Sequence, residues 1–286
     1  MRICLYWNKT AGGGISLRKL QDIISSAGHT VARTVDDASD LPEHMEDVDC
    51  VVAAGGDGTI ARAGRVLAGG ELPLAILPLG TANNIANSLG IRGEIDKLAR
   101  RWHGSQPVKI DVGVATIKDT PSLFLESVGF GLVTSCIAEG QATLPKDDPE
   151  THLADARTLY LNTLARLAPR HYDITIDGER LSGEFLLVEA LNTPSIGPQL
   201  EFSAGTNAAD GFLSVVAVTA AERDALVAYL NTLHAGGAAH DGFKSWRARE
   251  VAVSGADRAH VDDRVVEAGE PVVAIGIRHA ALPVLA

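Results

Sequence analysis

The clearest chemical signal in the sequence is a glycine-rich segment with one carboxylate, AAGGDGT at residues 53–59. An apolar run at residues 48–54 leads into it, and a helical pattern begins at Thr59. Glycines let the backbone approach an anion closely, so their N–H groups can bind a phosphate. We expect Thr59 to cap the helix, whose positive end then faces the same anion. The glycines alone would equally suit a plain strand-to-helix turn, but Asp57 favours a site with a divalent cation or a ribose-type hydroxyl nearby.

Two further segments have a similar composition. LPLGTANNIA at residues 77–86 again ends a buried strand with a glycine, and Thr81 is expected to open a helix with two asparagines in its first turn. NKTAGGG at residues 8–14 follows the first expected strand. Strand ends that lie side by side in an α/β sheet form the crevice where ligands bind. None of these segments is a Walker loop or a Rossmann fingerprint, so neither assignment follows.

The elements that position these segments alternate between strand and helix patterns over the first hundred or so residues. Such alternation is typical of a sheet with helices packed on it, so we predict an α/β domain. The expected strands are residues 2–7, 29–34, 48–54 and 73–77, and the expected helices are residues 17–28, 59–67, 81–89 and 95–102.

From about residue 108 the pattern changes to strands separated by turns, most of them expected to be antiparallel. The expected strands are residues 108–117, 123–128, 172–176, 184–191 and 212–218, with helices at residues 152–167 and 221–233. We place a domain boundary at residues 108–112. The acidic, proline-containing stretch at residues 139–155 suggests a mobile loop or lid, and a plain solvated connection fits it equally well.

Length and composition limit the class of protein. The chain of 286 residues is long enough for two domains, each of roughly 150 residues. A net charge of −11 and a pI near 5.2 exclude a protein whose whole surface binds nucleic acid. No apolar run approaches the roughly 18 residues of a membrane-spanning helix, and no signal peptide is expected. Cys4, Cys50 and Cys136 occur singly, which argues against disulfides or a zinc cluster and favours a reducing cytoplasm.

Several of these motifs resemble those of the lipid kinases that carry the diacylglycerol kinase catalytic domain, a family that includes sphingosine and ceramide kinases and soluble bacterial lipid kinases. GGDGT at residues 55–59 and PLGTANN at residues 78–84 are similar to two family signatures. Residues 126–131 resemble the first segment of the family's second domain, and residues 192–211 resemble its stretch ending in Asp-Gly. Residues 281–285 look like its last strand. The resemblance covers nearly the whole chain.

The resemblance implies a two-domain kinase. Residues 1–110 would form an α/β domain like that of NAD kinase and phosphofructokinase, completed by a C-terminal strand at about residues 272–286, and residues 111–271 would form a β-sandwich. ATP and Mg²⁺ would bind in the cleft, and the γ-phosphoryl group would pass to a hydroxyl of a diacylglycerol-, ceramide- or sphingoid-like lipid. Such an enzyme would reach its substrate from the cytoplasm, at the membrane surface. The oligomeric state stays open, a homodimer included.

The same resemblance, carried over position by position, implies the site residues. The implied nucleotide-binding residues are Asn8, Thr34, Gly55, Gly56, Asp57, Gly58, Thr59, Gly80, Thr81 and Asn83. Asp57 would also be catalytic. Asp210 would hold a structural Mg²⁺ together with the backbone carbonyls of Asn207 and Phe212, since a carboxylate and two carbonyls suit a hard cation. The alternative for Asp210 is an ordinary β-turn aspartate.

One departure concerns the general base, which in the family is the glutamate of a C-terminal Asp-Gly-Glu. The matching register places Arg264 at that position, and an arginine cannot act as a base. Asp262 or Asp263 would then be the catalytic base, and this is the alternative we favour. The chain could instead be a nucleotide-binding relative with little catalysis, or a shifted register could make Glu267 or Glu270 the base. Residues 262–264 would also suit a plain exposed turn.

Two smaller departures lie near the predicted crevice. Residues 61–63 follow GGDGT where many family members have an acidic residue and an asparagine. Arg62 and Arg65 lie in the first turns of the expected helix and would face either phosphate or solvent. Asn84 replaces a frequent aspartate and so removes one negative charge. A soluble kinase of the NAD-kinase type is the second candidate, because GGDGT alone would serve it equally well. The β-rich second half favours the lipid branch.

Overall fold

The structure is a computed structural model that describes residues 1–9, 15–140, 144, 148–237, 242–269 and 272–286. These residues form an N-terminal α/β domain and a C-terminal β-sandwich, which confirms the predicted fold class. None of the helices in the described ranges is long and apolar enough to cross a membrane.

The first domain is built on a parallel sheet in the order β2-β1-β3-β4. Its strands are β1 (Arg2–Trp7), β2 (Thr30–Val35), β3 (Cys50–Gly55) and β4 (Leu74–Pro78), and its helices are α1 (Leu17–Ser26), α2 (Asp57–Leu67), α3 (Asn84–Ser88) and α4 (Ile95–Arg101). All six residues of β3 are buried, as its continuous apolar sequence predicts for a strand covered on both faces.

Both helices that follow the glycine turns differ from the prediction at their first residue. Helix α2 begins at Asp57, because the extended Gly56 accepts the N–H groups of Thr59 and Ile60 at 2.9 and 3.1 Å. Thr59 is therefore buried in the first turn and is not the cap. Helix α3 begins only after Asn83, which takes a left-handed conformation (φ 50°) that asparagine tolerates well. Thr81 accordingly lies in a turn and does not open the helix.

The second domain consists of thirteen strands and three helices among the described residues. Its strands are β5 (Val108–Ile117), β6 (Thr120–Phe124), β7 (Ser127–Gly131), β8 (Arg170–Ile176), β9 (Glu179–Leu191), β10 (Ser195–Ile196), β11 (Leu200–Glu201), β12 (Leu213–Thr219), β13 (Ser245–Ala248), β14 (Glu250–Ser254), β15 (Arg258–Val261), β16 (Arg264–Glu267) and β17 (Val273–Leu285). Its helices are α5 (Leu132–Ala138), α6 (Pro149–Arg166) and α7 (Arg223–His234).

Strand β9 connects the two layers of the sandwich. Its first half pairs with β8, and its second half pairs with β7 and β12. One layer therefore runs β16-β15-β7-β9-β12-β13, and the other runs β9-β8-β14-β17-β5-β6. Phe130, Tyr172 and Phe185 are among the buried side chains between the layers. Side chains of α5, α6 and α7 cover the outer face of the first layer in a separate apolar cluster.

The predicted lid at residues 139–155 is helical in its last part. Helix α6 begins at Pro149, and the Asp148 carboxylate accepts the Thr151 N–H at 2.8 Å as its cap. This cap and a proline in the first turn are favourable at a helix N-terminus, so the helix starts before residue 152, where it was predicted. Residues 141–143 and 145–147 of the predicted lid lie outside the described residues.

Strand β17 links the two domains. It pairs with β14 and along most of β5, and its last residues pair in parallel with β4, where Val284 lies opposite Leu74. The predicted domain boundary at residue 110 falls inside β5. The parallel sheet of the first domain is thus continued by the end of the chain.

We predict that Val284→Ala destabilises the protein by about 2 kcal/mol, because it removes two methyl groups from a buried position. Val284 is 1% exposed in strand β17, whereas Val272, just before this strand, is 48% exposed. Val272→Ala makes the same chemical change and should alter the free energy of unfolding by less than about 0.5 kcal/mol. Urea denaturation of both variants measures the difference. Equal effects would contradict a structural role for the end of β17.

Candidate functional site

The candidate site is a crevice at the carboxyl edge of the parallel sheet. Asn8 follows β1, and the turn at residues 80–83 follows β4. The GGDGT turn at residues 55–59 connects the end of β3 to the start of α2. The two glycine turns touch, because a Cβ on Gly56 would lie 3.1 Å from the Gly80 Cα and one on Gly80 would lie 2.5 Å from the Gly56 Cα. Glycine is therefore required by close backbone approach at both positions.

The GGDGT turn offers backbone N–H groups at the start of helix α2. The first N–H groups of a helix have no partner within it, and the helix dipole adds partial positive charge there. Asn8 supports this end, since its side-chain Nδ2 donates to Thr59 Oγ1 at 3.3 Å. The arrangement can bind an anion such as a phosphate group.

Asp57 connects the two glycine turns. Its Oδ1 accepts the Ile85 N–H at 2.9 Å, so a side chain from α2 binds the first turn of α3. Burial raises the pKa of the Asp57 carboxyl, although backbone N–H groups act in the opposite direction. Asn83 closes its own turn, accepting the Gly80 N–H at 2.9 Å and donating to the Gly80 carbonyl at 2.7 Å.

Glu126 is a carboxylate of this crevice that the sequence did not single out. It is buried between β6 and β7, and its Oε1 accepts a hydrogen bond from Asn84 Nδ2 at 2.7 Å. Asn84 Nδ2 also donates to the Gly197 carbonyl at 2.9 Å. Burial, and then the nearby negative charges of Asp57 and Asp262, raise the pKa of Glu126 well above its usual value. The only local signal was a single acidic residue within the apolar sequence FLESVGF.

The second domain closes the crevice with a hairpin turn. Val261 of β15 pairs with Arg264 of β16, so Asp262 and Asp263 form the turn. The Asp262 carboxylate accepts the N–H groups of Leu125 and Glu126 at 3.1 and 2.9 Å, and the Arg65 Nη1 lies 2.6 Å from it. The side chains of Asp262 and Arg65 are only 2% and 15% exposed.

Both side chains of this ion pair are largely removed from water. Burial raises the pKa of Asp262 even though the positive charge of Arg65 lowers it. Burial also lowers the pKa of Arg65. The pair therefore depends on its two backbone donors as well as on mutual attraction.

Asp263 has a different environment. Its Oδ2 lies 3.1 Å from Arg62 Nη1, and the two side chains are 42% and 37% exposed. The same oxygen lies over the GGDGT turn, since a Cβ on Gly58 would be 2.5 Å from it. Arg62 also donates from Nε to the Tyr6 hydroxyl at 3.3 Å. The two arginines after GGDGT thus bind the aspartates of the hairpin, one each.

The remaining predicted residues of the crevice lie as follows. Thr34 is exposed near the end of β2, and Thr81 is partly buried in the second glycine turn. Arg264 is exposed at the start of β16, where its backbone pairs with Val261. Glu267 lies at the other end of β16, opposite Arg258, and so away from the hairpin turn. Glu270 lies outside the described residues.

The residues predicted to hold a structural Mg²⁺ contact protein groups around residues 207–212. The Asp210 Oδ1 accepts the Phe212 N–H at 3.0 Å, and its Oδ2 pairs with Arg247 Nη2 at 2.8 Å. The side chain of Asn207 accepts the Ala209 N–H at 3.1 Å. Both oxygens of the one carboxylate are therefore engaged by N–H donors, whereas Mg²⁺ requires oxygen ligands in a near-ideal octahedron. No three acidic, histidine or cysteine side chains converge elsewhere in the described ranges.

We predict that Arg65→Met destabilises the protein by about 3–5 kcal/mol, because it leaves the buried Asp262 carboxylate without its partner. Arg62→Met is the matched control on the same helix. Its ion pair with Asp263 is largely solvated, so the expected loss is below about 1 kcal/mol. Chemical denaturation of the two variants gives the comparison. A smaller loss for Arg65→Met than for Arg62→Met would show that the hairpin is not held by this pair.

Comparison with known proteins agrees with this architecture. The family model of the diacylglycerol kinase catalytic domain matches residues 2–115, and that of the YegS C-terminal NAD kinase beta sandwich-like domain matches residues 151–286. A diacylglycerol kinase of Mycobacterium tuberculosis (strain CDC 1551 / Oshkosh) is 27% identical over 249 residues, which cover 80% of this chain and 77% of the relative. The "Probable lipid kinase YegS" of Escherichia coli O1:K1 / APEC is 31% identical over 137 residues, 44% of this chain and 46% of the relative.

A solved structure extends the comparison to the whole fold. A diacylglycerol kinase from Bacillus anthracis str. Sterne superposes with a TM-score of 0.75 at 21% sequence identity, over 99% of this chain and 96% of that chain. This likeness shows the shared fold. The two matched domain models together cover most of the chain. The protein belongs to the lipid kinase family that carries the diacylglycerol kinase catalytic domain.

Proposed function

We propose that the protein transfers the γ-phosphoryl group of ATP to a hydroxyl group of a lipid. The observation that carries this proposal is the meeting of two glycine turns, with Asp57 and Glu126 beside them, under a hairpin turn from the second domain. Membership in the lipid kinase family supports the same reaction. The relatives are named for diacylglycerol or for lipid in general, and the family resemblance adds ceramide and sphingoid bases to the candidate substrates. The lipid would be reached from the cytoplasm at the membrane surface.

In this proposal the GGDGT turn at residues 55–59 binds the phosphates of ATP. The N–H groups at the turn into α2 donate to phosphate oxygens, and each such charge-assisted bond contributes on the order of 1.5–3 kcal/mol. Asn8, Thr34, Thr81 and Asn83 contact the rest of the nucleotide. Local donors of this kind explain how a chain with a net charge of −11 can bind a polyphosphate.

Asp57 and Glu126 would hold the Mg²⁺ that accompanies ATP. The residues fit this role, since Mg²⁺ in nucleotide sites is bound by one or two carboxylates together with the phosphates. The cation would neutralise charge on the phosphate oxygens during transfer. Burial raises the pKa of both carboxyl groups, and a bound cation would act in the opposite direction because it favours the ionised carboxylates.

Transfer requires that the lipid hydroxyl lose its proton. The hydroxyl oxygen attacks the γ-phosphorus, the bond to the β-phosphate oxygen breaks with its electron pair leaving on ADP, and the proton passes to a base. Asp263 is the better candidate of the two aspartates, because it is partly exposed directly over Gly58. The Asp262 carboxylate is already bound by Arg65 and two backbone N–H groups.

We predict ADP release, dependent on Mg²⁺, with at least one lipid in a micellar panel of diacylglycerol, ceramide and sphingoid bases. Asp57→Asn should lower the rate by about 10²-fold or more, because it removes charge from the phosphate and cation site. Asp119→Asn, an exposed turn residue with a left-handed backbone that asparagine accepts, is the control and should keep the rate. Stabilisation by ATP without turnover of any lipid would indicate a nucleotide-binding relative, and turnover of NAD instead would indicate a soluble small-molecule kinase.

We predict that Asp263→Asn lowers kcat by about 10²- to 10⁴-fold, the usual contribution of a general base, with little change in the melting temperature. Asp262→Asn should mainly lower the melting temperature, because it weakens the contact with the buried Arg65. Rates and thermal unfolding are measured for both variants in parallel. If Asp263→Asn retains the full rate, the proton goes to another group.

A further inference from the structure

A separate charged cluster surrounds the turn at residues 208–212, which precedes strand β12. Asp210 and Arg247 of β13 form an ion pair with 2.8 Å between Oδ2 and Nη2, and their side chains are 26% and 61% exposed. We propose that the Arg247 guanidinium takes the place of the structural Mg²⁺ that the family resemblance implies at Asp210. The turn would then fold without a metal ion, and Mg²⁺ would be needed only with the nucleotide.

The geometry around Asp210 suits a guanidinium. The Arg247 group lies 4.1 Å from the centre of the Phe212 ring, so it stacks on the aromatic face while one of its N–H groups reaches the carboxylate. A planar guanidinium can make both contacts at once, which a hydrated point charge cannot. The other Asp210 oxygen accepts the Phe212 N–H at 3.0 Å. Phe212, whose backbone carbonyl would bind the metal, thus contributes its N–H and its ring to these contacts.

Electrostatics act in the same direction. A second guanidinium, that of Arg249, lies 4.6 Å from the centre of the same Phe212 ring. Arginine stays protonated at every relevant pH, so one permanent positive charge pairs with the Asp210 carboxylate and a second lies beside Phe212. A divalent cation placed beside Phe212 would be repelled by both.

The other side of the turn is held by the Asp111 carboxylate and backbone. The buried Asp111 of β5 accepts the Gly211 N–H at 2.7 Å through Oδ2. Its Oδ1 accepts the Ala280 N–H at 2.7 Å and lies 2.7 Å from His279 Nδ1. The Asp111 N–H donates to the Ala208 carbonyl at 2.6 Å. Strands β5, β13 and β17 therefore fix the turn from both sides through side-chain and backbone contacts.

The proposal is tested on nucleotide-free protein and needs no kinase activity. Its outcome is therefore independent of the proposed function. After treatment with EDTA, metal content and thermal unfolding are measured without and with saturating Mg²⁺. We expect the protein to contain no stoichiometric Mg²⁺. Arg247→Met should lower the melting temperature by about 2 °C or more, and added Mg²⁺ should restore part of that loss by occupying the freed Asp210. Arg180→Met, an exposed arginine at the start of β9, is the matched control and should change neither quantity.

Asp210 variants separate this turn from the crevice carboxylates. The restoration by Mg²⁺ should vanish in the double variant Asp210→Asn with Arg247→Met, whereas a response that arises at Asp57 or Glu126 would persist. If Arg247→Met does not fold, Arg247→Lys keeps the charge but loses the stacking, and it should show a smaller loss of melting temperature. One equivalent of bound Mg²⁺ in the unsubstituted protein that is lost on Asp210→Asn would overturn the proposal. An unchanged melting temperature in Arg247→Met would overturn it equally.

Discussion

The arrangement of the crevice depends on one buried carboxylate, that of Asp262. A charge without access to water must be compensated within the protein, and here Arg65 and the N–H groups of Leu125 and Glu126 provide the compensation. These partners belong to helix α2 and to the chain between β6 and β7. The hairpin that bears Asp262 is therefore tied to both domains, and the position of Asp263 over the GGDGT turn follows from it.

A continuous set of contacts runs around the crevice from this point. Asp57 binds the N–H of Ile85 in α3, and the neighbouring Asn84 donates to Glu126. The backbone N–H of Glu126 donates to Asp262, which binds Arg65 and so returns to the helix that begins with Asp57. Each contact uses a polar group that burial would otherwise leave unsatisfied. The result is a row of carboxylates next to the N-terminus of α2, the two features that a cation and a polyphosphate need.

The departures from the family pattern become related once they are placed in space. Arg62 and Asp263, both departures that the family resemblance implies, form an ion pair with each other. Asn84, a third such departure, donates to the Glu126 carboxylate. Each of these residues thus has a charged partner within the crevice. The Asp210 turn follows the same principle, because Arg247 meets the carboxylate for which a metal was expected.

Local sequence determined the main elements and the two glycine turns, because strand and helix periodicity and the conformational freedom of glycine act over a few residues. It misplaced the starts of α2 and α3, which depend on an extended Gly56 and a left-handed Asn83. It also did not assign Glu126 to the site, because its contact with Asn84 joins residues 42 positions apart. Arg65 and Asp262 are 197 positions apart, so no local pattern relates them. Only the tertiary structure decided which charges are buried together, because burial of a charge depends on the whole fold that surrounds it.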